Sequence, residues 1–437
     1  MAQRGTSASI FNINSRPGAI VLVVVMAFAV GVVAVPAVQA QTFQVLHAFT
    51  GADGAHPYAG VTVGGPGTLY GTTPDGGTQG YGVVFKLAQR GSGWTLDPLY
   101  KFAGGQDGDV PTGGVAIGPN GALYGTTYLG GSANNGTVFE LQPPATACKT
   151  AICYWNETVL HSFAGPPQDG SHPYFGNVIF DHAGNMYGTA FEGGFYNCGL
   201  AWKLTPSDGG WSESLPYTFS GASDGCYPLT GVIFDAAGSL YGNTNSAGMY
   251  GDGTVDRLMP SNGSWIEHTL VALDGSTGAG SFGTLAIDQS GNLYGTAESY
   301  GPSEGGTLYE LSPLNGGWNF SLVYVFSPDP LSRYSCAPLT GVTLGPDGNL
   351  YGVCEIGGVN GYGWVFKMPP NCDQTCTPND LHDFDGSDGW TPYGQVVFDT
   401  SGNLYGTTQF GGNLSDCGGD GCGVVWEITE VTDGFRH

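Results

Sequence analysis

Apolar and β-branched residues in this chain come in short runs that alternate with polar positions, and no stretch holds a helical period. In "GGVAIGPNGALYGTTYLGGSANNGTVFELQ" the pattern predicts a strand over Gly114–Ile117, a turn, a strand over Leu123–Thr127, a glycine loop and a strand over Thr137–Leu141. "ETVLHSF" adds a fourth strand over Glu157–Phe163. Clusters of Gly, Asn, Asp and Pro separate the runs, as a strand-and-turn chain requires. The one long apolar run, "AIVLVVVMAFAVGVVAV" (Ala19 to Val35), is of a different kind. Its 17 residues follow Arg4 and Arg16 and end at "PAVQAQ", which predicts a secretory signal peptide over residues 1–40, cut after Ala40.

The four-strand unit recurs. A Leu/Met-Tyr-Gly triplet places its tyrosine at Tyr70, Tyr124, Tyr187, Tyr241, Tyr294, Tyr351 and Tyr405, with spacings of 54, 63, 54, 53, 57 and 54 residues. After residue 40 the chain opens on a lone fourth strand, Thr42 to Phe49, and it ends just past a third strand, Gly423 to Ile428. The two partial units make one whole. Pairing them closes seven four-stranded antiparallel blades into a ring with only short, protected edges, whereas an open stack would need distinct capping repeats. The expected fold is all-β: a seven-bladed β-propeller, one domain over residues 41–437, closed by its N-terminal strand.

These repeats resemble the GloVer (Gloeobacter/Verrucomicrobia) tandem repeat of exported bacterial proteins, through segments such as "GALYGTTYLGGSANNGTVFEL" and "GNLYGTTQFGG". The resemblance covers essentially all of residues 41–437. It implies a repeat architecture and export, and it implies no particular reaction. The ending "EITEVTDGFRH" predicts no C-terminal sorting or membrane tail.

Composition narrows the partners. Glycine supplies 77 of 437 residues, which suits many tight turns, and an aromatic content of 12% suits a packed core rather than disorder. Without residues 1–40, nine basic side chains face 36 acidic ones. Such a surface repels nucleic acid and anionic lipid, so neither is an expected partner, and no membrane span is expected after signal cleavage. Ten cysteines in an exported chain read as disulfides. Local spacing pairs Cys148 with Cys153, Cys372 with Cys376 and Cys417 with Cys422, leaving Cys198 with Cys226 and Cys336 with Cys354. "CDQTC" and "CGGDGC" lack matching half-sites for zinc, and neither a metal nor a cofactor is expected.

Seven copies permit an internal comparison: what recurs at one offset belongs to the scaffold, and what breaks the pattern is a candidate site. Trp94, Trp155, Trp211, Trp265 and Trp318 recur at one offset and are expected to pack over each blade's outer hairpin. Trp202 and Trp426 replace a third-strand phenylalanine and belong to the core. The last glycine of "GNLYGT" is expected where backbones of neighbouring blades approach. His47, His161 and His382 sit where other blades carry Tyr100, Tyr217, Val271 and Tyr324, so they need no titrating role. "DGxxP" at Asp53, Asp107, Asp169, Asp224 and Asp388 reads as a turn, the carboxylate accepting a backbone N–H; the fifth and sixth copies depart from it.

That turn and the glycine-rich loop after "LYGTT" fall on one face of the ring. The channel mouth there is expected to gather His56, Tyr58, His172, Tyr174, Tyr227, Trp390 and Tyr393, with Glu192, Glu298 and Glu355 from the second loop. Aromatic rings and carboxylates at a shallow mouth suit a neutral polar ligand such as a carbohydrate. The chain contains no nucleophile elbow, zincin motif, phosphate loop or dinucleotide fingerprint. The leading expectation is an exported, monomeric binding or interaction scaffold for extracellular glycan or protein. The alternative is a propeller hydrolase or lyase in which His56, His172, Glu298 and Glu355 act as bases or converge on a metal ion.

Overall fold

The computed structural model describes residues 41–145, 154–329 and 332–429. The expected signal peptide and the Cys148–Cys153 pair lie outside the described residues. Within them are seven four-stranded antiparallel sheets, each the blade of a β-propeller, and no helix long and apolar enough to cross a membrane. Six blades take their four strands in chain order; in blade 3 the short strand Glu192–Gly193 intervenes and pairs with Gly170–Ser171 instead. Blade 7 joins Val397–Phe398, Leu404–Thr408 and Val424–Thr429 to the N-terminal strand Thr42–Ala48, with Thr42 opposite Thr429 and Ala48 opposite Val424. The ring closes through this seam, as the partial units at the two ends predict.

Blade 2 shows how the unit is built. Its strands are Ala116–Ile117, Leu123–Thr127, Thr137–Gln142 and Asn156–Ser162, from channel to rim. The innermost strand has two residues instead of the expected four, because the blades converge at the axis. A Cβ on Gly113 would lie 2.7 Å from the carbonyl oxygen of Gly176 in blade 3, and the Gly114 N–H donates to Asn177 Oδ1 at 2.8 Å, so both glycines leave their own ladder. The second and third strands are buried on both faces, sandwiched between neighbouring blades.

The repeated "LYGT" fills three structural roles. Its tyrosine hydroxyl donates to the aspartate of the preceding turn, as in Tyr187 to Asp181 (3.0 Å), Tyr351 to Asp347 (2.8 Å) and Tyr405 to Asp399 (3.1 Å). Its threonine reaches the next blade: Thr72 Oγ1 donates to Gly113 O, Thr296 to Thr340 O and Thr407 to Ala59 O, at 2.8–2.9 Å, the last from blade 7 to blade 1. Its glycine makes room for a ring. Gly71, Gly125 and Gly352 stand opposite Phe85, Phe139 and Phe366 on the third strand, where a Cβ would come 2.5–2.7 Å from the ring. The close approach is therefore to a side chain of the same blade, and the backbone contacts between blades are made by the channel glycines instead.

The outer tryptophans also differ from expectation. Trp94, Trp155, Trp211, Trp265 and Trp318 each meet the "LYG" tyrosine of the preceding blade edge-on: Tyr405, Tyr70, Tyr124, Tyr187 and Tyr241, with centroids 6.0–6.4 Å apart. They are mortar between blades rather than covers for their own hairpins, because the blade twist swings each outer strand over its neighbour. Trp202 and Trp426 are core, as expected. Blade 4 carries the one break in the core pattern, with Asp256 fully enclosed where the other blades place a ring.

The four cysteine pairs within the described residues are those the spacing suggests: Cys198–Cys226, Cys336–Cys354, Cys372–Cys376 and Cys417–Cys422.

Candidate functional site

The "DGxxP" aspartates are turn formers with a second partner. Asp53 accepts from the Thr50 N–H (2.8 Å), Asp169 from Ala164 (2.6 Å), Asp224 from Ser220 (2.7 Å) and Asp388 from Asp385 (2.8 Å). Each also receives the side chain two residues before the outer-strand phenylalanine: His47 on Asp53 (2.9 Å), Tyr217 on Asp224 (2.9 Å) and His382 on Asp388 (2.8 Å). Histidine and tyrosine interchange at that offset because both reach the same carboxylate. Burial pushes the Asp53 carboxyl up, but the hydrogen bonds from His47 and Thr50 outweigh it and hold it below the ordinary aspartate value.

The turn then presents a residue with positive φ. His56, Val110, His172, Tyr227, Gly280 and Thr391 have φ between 55° and 70°, and five of the six are not glycine. Left-handed backbone costs a non-glycine residue about 1 kcal/mol, and here hydrogen bonds enforce it. The N–H of each donates to the preceding blade: His56 to Cys422 O (2.9 Å), His172 to Asn135 O (2.7 Å), Thr391 to Tyr362 O (3.0 Å). The carbonyl of each accepts, in blades 2–5 and 7, from the residue that follows "LYGTT" or its variant in the same blade: Tyr128, Phe191, Asn245, Glu298 and Gln409. The fifth copy keeps this frame through Gly280 although its sequence departs from "DGxxP". One backbone frame thus repeats around the mouth while the side chains it carries do not.

All ten expected mouth residues are half-buried and lie on this frame or beside it. Tyr58 of blade 1 and Tyr393 of the adjoining blade 7 meet at 5.3 Å, and each also contacts Phe175, at 5.8 and 5.3 Å. Gln409 donates to the Tyr58 hydroxyl at 2.9 Å. These rings, with Phe282 and Leu339, line the cavity at the channel mouth. Two arcs of rings flank it. One runs from His172 through Tyr128, Tyr174 and Phe191 to Tyr227, with neighbouring centroids 4.8–6.0 Å apart. The other runs from Tyr362 through Trp390 and Phe410 to His56, at 5.2–5.5 Å.

The carboxylates split into two sets. His56 Nδ1 donates to Asp75 at 3.0 Å and His172 Nδ1 to Glu192 at 3.2 Å, the same pairing in blades 1 and 3. Glu298 and Glu355 occupy the gap between the arcs. Burial pushes both carboxyls above the usual glutamate range, and the charge of Glu298 pushes Glu355 further. Burial also raises the Tyr393 hydroxyl, as do Tyr174, Glu355 and Glu298 beside it. His56, His172, Glu298 and Glu355 do not converge on one point. Among the described residues, the only three His, Cys, Asp or Glu side chains with ligand atoms within 4.8 Å of one another are His161, Asp169 and Glu213, on the outer rim. The shared-metal arrangement at the mouth is not formed.

Sequence comparison missed Tyr128, Phe175, Phe191, Tyr362, Phe410 and Asp75. Tyr128 and Phe191 share the offset of Glu298 and Glu355, so extending that comparison to all seven copies finds them. It also missed a ring of exposed apolar tips on the outer loops of the same face, including Phe195, Met249 and Val359 at 67–75% exposure, with Tyr196, Tyr250 and Tyr300. Monomeric surfaces rarely gather so many large apolar side chains on one face without a partner.

The sequence profile of the Gloeobacter/Verrucomicrobia repeat matches residues 27–155 and residues 153–337, well over half of the chain. The chain belongs to the Gloeobacter/Verrucomicrobia repeat family. Blades 6 and 7 of this Gloeobacter/Verrucomicrobia repeat protein extend beyond the matched residues yet keep the same four-strand unit. Among solved structures, the extracellular domain of a putative hybrid two-component system from B. thetaiotaomicron superposes with a TM-score of 0.51 at 11% identity, over 88% of this chain and 40% of that one. A protein of unknown function from Dyadobacter fermentans gives 0.48 at 10% identity, over 88% and 97% of the two chains. A putative 6-phosphogluconolactonase from Bacteroides uniformis gives 0.48 at 16%, over 78% and 88%. At these identities the likeness is one of fold alone. No curated relative matches the sequence.

Proposed function

We propose that this repeat protein is an exported binding scaffold that engages extracellular carbohydrate through the channel-mouth face. The observation that carries this reading is the repeated backbone frame holding unlike side chains. A frame fixed by inter-blade hydrogen bonds presents rings and carboxylates with little ordering left to do on binding, the condition under which a shallow polar site gains affinity. Half-buried Tyr174, Tyr227 and Trp390 offer faces for sugar rings, and the His56–Asp75 and His172–Glu192 pairs offer polar groups at the rim. Cys198–Cys226, Cys336–Cys354 and Cys417–Cys422 stiffen loops on this face, and disulfides fit an exported chain. Export predicts a mature N-terminus at Gln41, readable by mass spectrometry of the secreted protein. A glycan array tests the binding: at least one glycan class should bind the wild type, with Trp390→Ala and Tyr174→Ala each weakening it tenfold or more. An array without hits, or hits unmoved by both variants, refutes the mouth as a carbohydrate site. A protein ligand on the apolar tips would instead appear as binding lost in Phe195→Ser and Met249→Ser.

A second reading, a hydrolase or lyase acting on the bound polymer, rests on the adjacent carboxyls of Glu298 and Glu355. Two neighbouring carboxyls, both raised by burial and one raised further by the charge of the other, are the kind of pair that acid–base cleavage uses. Turnover of a bound glycan that disappears in both Glu298→Gln and Glu355→Gln would support it. Binding without turnover would remove it.

A further inference from the structure

The outer rim holds a second polar cluster that the mouth does not use. His161 ends the outer strand of blade 2, Asp169 lies in the turn that follows, and Glu213 projects from the outer strand of blade 3. His161 Nε2 is 3.3 Å from Asp169 Oδ2 and 3.4 Å from Glu213 Oε1. That Glu213 oxygen is buried and accepts no hydrogen bond. Burial and the nearby charge of Asp169 push the Glu213 carboxyl up to about 7, against the attraction of His161.

The repeats show that this combination is not a demand of the fold. The equivalent crevices between blades 1 and 2 and between blades 3 and 4 carry Tyr100, Asp107 and Glu157, and Tyr217, Asp224 and Glu267, with the acid present and the imidazole replaced by tyrosine. Between blades 7 and 1, and between 6 and 7, His47–Asp53 and His382–Asp388 keep the imidazole. There Leu96 stands at the glutamate offset, and Phe43 stacks on His382 at 3.5 Å. Among the described residues, only the crevice between blades 2 and 3 assembles imidazole and both carboxylates.

We propose that this crevice binds a divalent transition-metal ion of the zinc type, with His161 Nε2, Asp169 and Glu213 as its three protein ligands and a fourth position open to solvent. Separations of 3.3 and 3.4 Å are long for charge-assisted hydrogen bonds. They equal the edge of a tetrahedron with metal–ligand bonds of about 2.0–2.1 Å, the zinc value for nitrogen and oxygen donors. An imidazole nitrogen favours zinc, copper or nickel over calcium and magnesium, which take oxygen ligands. The cation would occupy the space that the unpartnered Glu213 oxygen faces and would offset the repulsion between the two carboxylates. It would also tie blade 2 to blade 3 at the rim.

The test uses the mature protein, stripped with EDTA and titrated with Zn²⁺ against a chromogenic chelator. Two substitutions borrow residues that other blades already use and so preserve the fold: His161→Tyr, as at Tyr100 and Tyr217, and Glu213→Leu, as at Leu96. One zinc per chain with micromolar or tighter affinity is expected, weakened at least tenfold by either substitution. His47→Tyr and His382→Tyr should leave it unchanged. Anomalous scattering at the zinc edge should place the ion between the three side chains. Absence of stoichiometric zinc, or zinc that survives both substitutions, overturns the proposal and leaves the cluster as a proton shared between His161 and its two acids.

Discussion

Replacing a "LYG" glycine by alanine tests whether the third-strand ring is what demands it. The chemistry is identical at every copy, so the neighbourhood alone decides the outcome. At Gly71, Gly125 and Gly352 the new methyl would lie 2.5–2.7 Å from a buried phenylalanine, and at Gly188, Gly295 and Gly406 it would press on Trp202, Tyr309 and Trp426. None of these six glycines has a positive φ, so backbone strain does not enter. Overpacking a tight core costs about 1–3 kcal/mol, offset by about 0.4–1 kcal/mol from the reduced freedom of the unfolded chain. The net loss is between about zero and about 2.6 kcal/mol per site. Gly242 is the control: Asp256 replaces the ring, and the nearest atom to a Cβ is the Val232 methyl at 3.2 Å. Gly242→Ala should be neutral or slightly stabilising. Isothermal urea unfolding of each variant measures the difference, expected at roughly 1–3 kcal/mol between Gly242→Ala and the other six. Adding Asp256→Phe should make Gly242→Ala costly, a coupling visible in a double-mutant cycle. A Gly242→Ala variant as damaged as Gly125→Ala would refute the reasoning, because the glycine would then answer to something common to all seven blades.

Asp256 itself should make stability fall as pH rises. Burial, with Glu267 nearby, holds its carboxyl well above the ordinary aspartate value, so between pH 4 and the raised value the unfolded chain has released a proton that the folded chain keeps. Wild-type stability then drops by up to about 1.4 kcal/mol per pH unit across that window, and Asp256→Asn should remove this slope in urea unfolding series at several pH values. Thr407→Val deletes the hydrogen bond to Ala59 that joins blade 7 to blade 1 and should cost about 0.5–1.5 kcal/mol. Thr126→Val should cost nothing or stabilise, since the buried Thr126 hydroxyl has no partner; equal losses at the two positions would remove the inter-blade role assigned to this offset.

Most of the architecture was readable because it is written seven times. Alternation, turn residues and the complementary partial units at the ends predicted the strands, the blade count and the seam; short spacing predicted Cys372–Cys376 and Cys417–Cys422, and Cys198–Cys226 and Cys336–Cys354 followed as the remaining pairs. Contacts that depend on blade twist were not readable. Nothing in the sequence tells whether Trp211 covers its own hairpin or Tyr124 of the preceding blade, and the two-residue inner strands follow from crowding at the axis that appears only when seven blades meet. At the mouth, comparison of offsets found the proline-linked residues and the glutamates. Tyr128 and Phe191 are harder to read because their offset carries rings, amides and carboxylates in different blades, so no residue type recurs there to mark it. The rim cluster was hidden for a different reason. His161 and Asp169 each match a recurring structural offset, and only contact with Glu213 of the next blade sets them apart.

The seam also sets an order of events. Thr42 and Thr429, whose hydroxyls meet in the closed ring, are 387 residues apart in sequence. Closing so long a loop costs about 5 kcal/mol of chain entropy, which the six paired positions between the two strands must recover in one step. Every other strand pairing joins segments close in sequence, so the edge at 424–429 is covered only when the two ends of the propeller meet. The propeller fastens like a bracelet. A chain lacking Val424–Thr429 would therefore lose the clasp as well as one strand, because Thr42–Ala48 has its partner there.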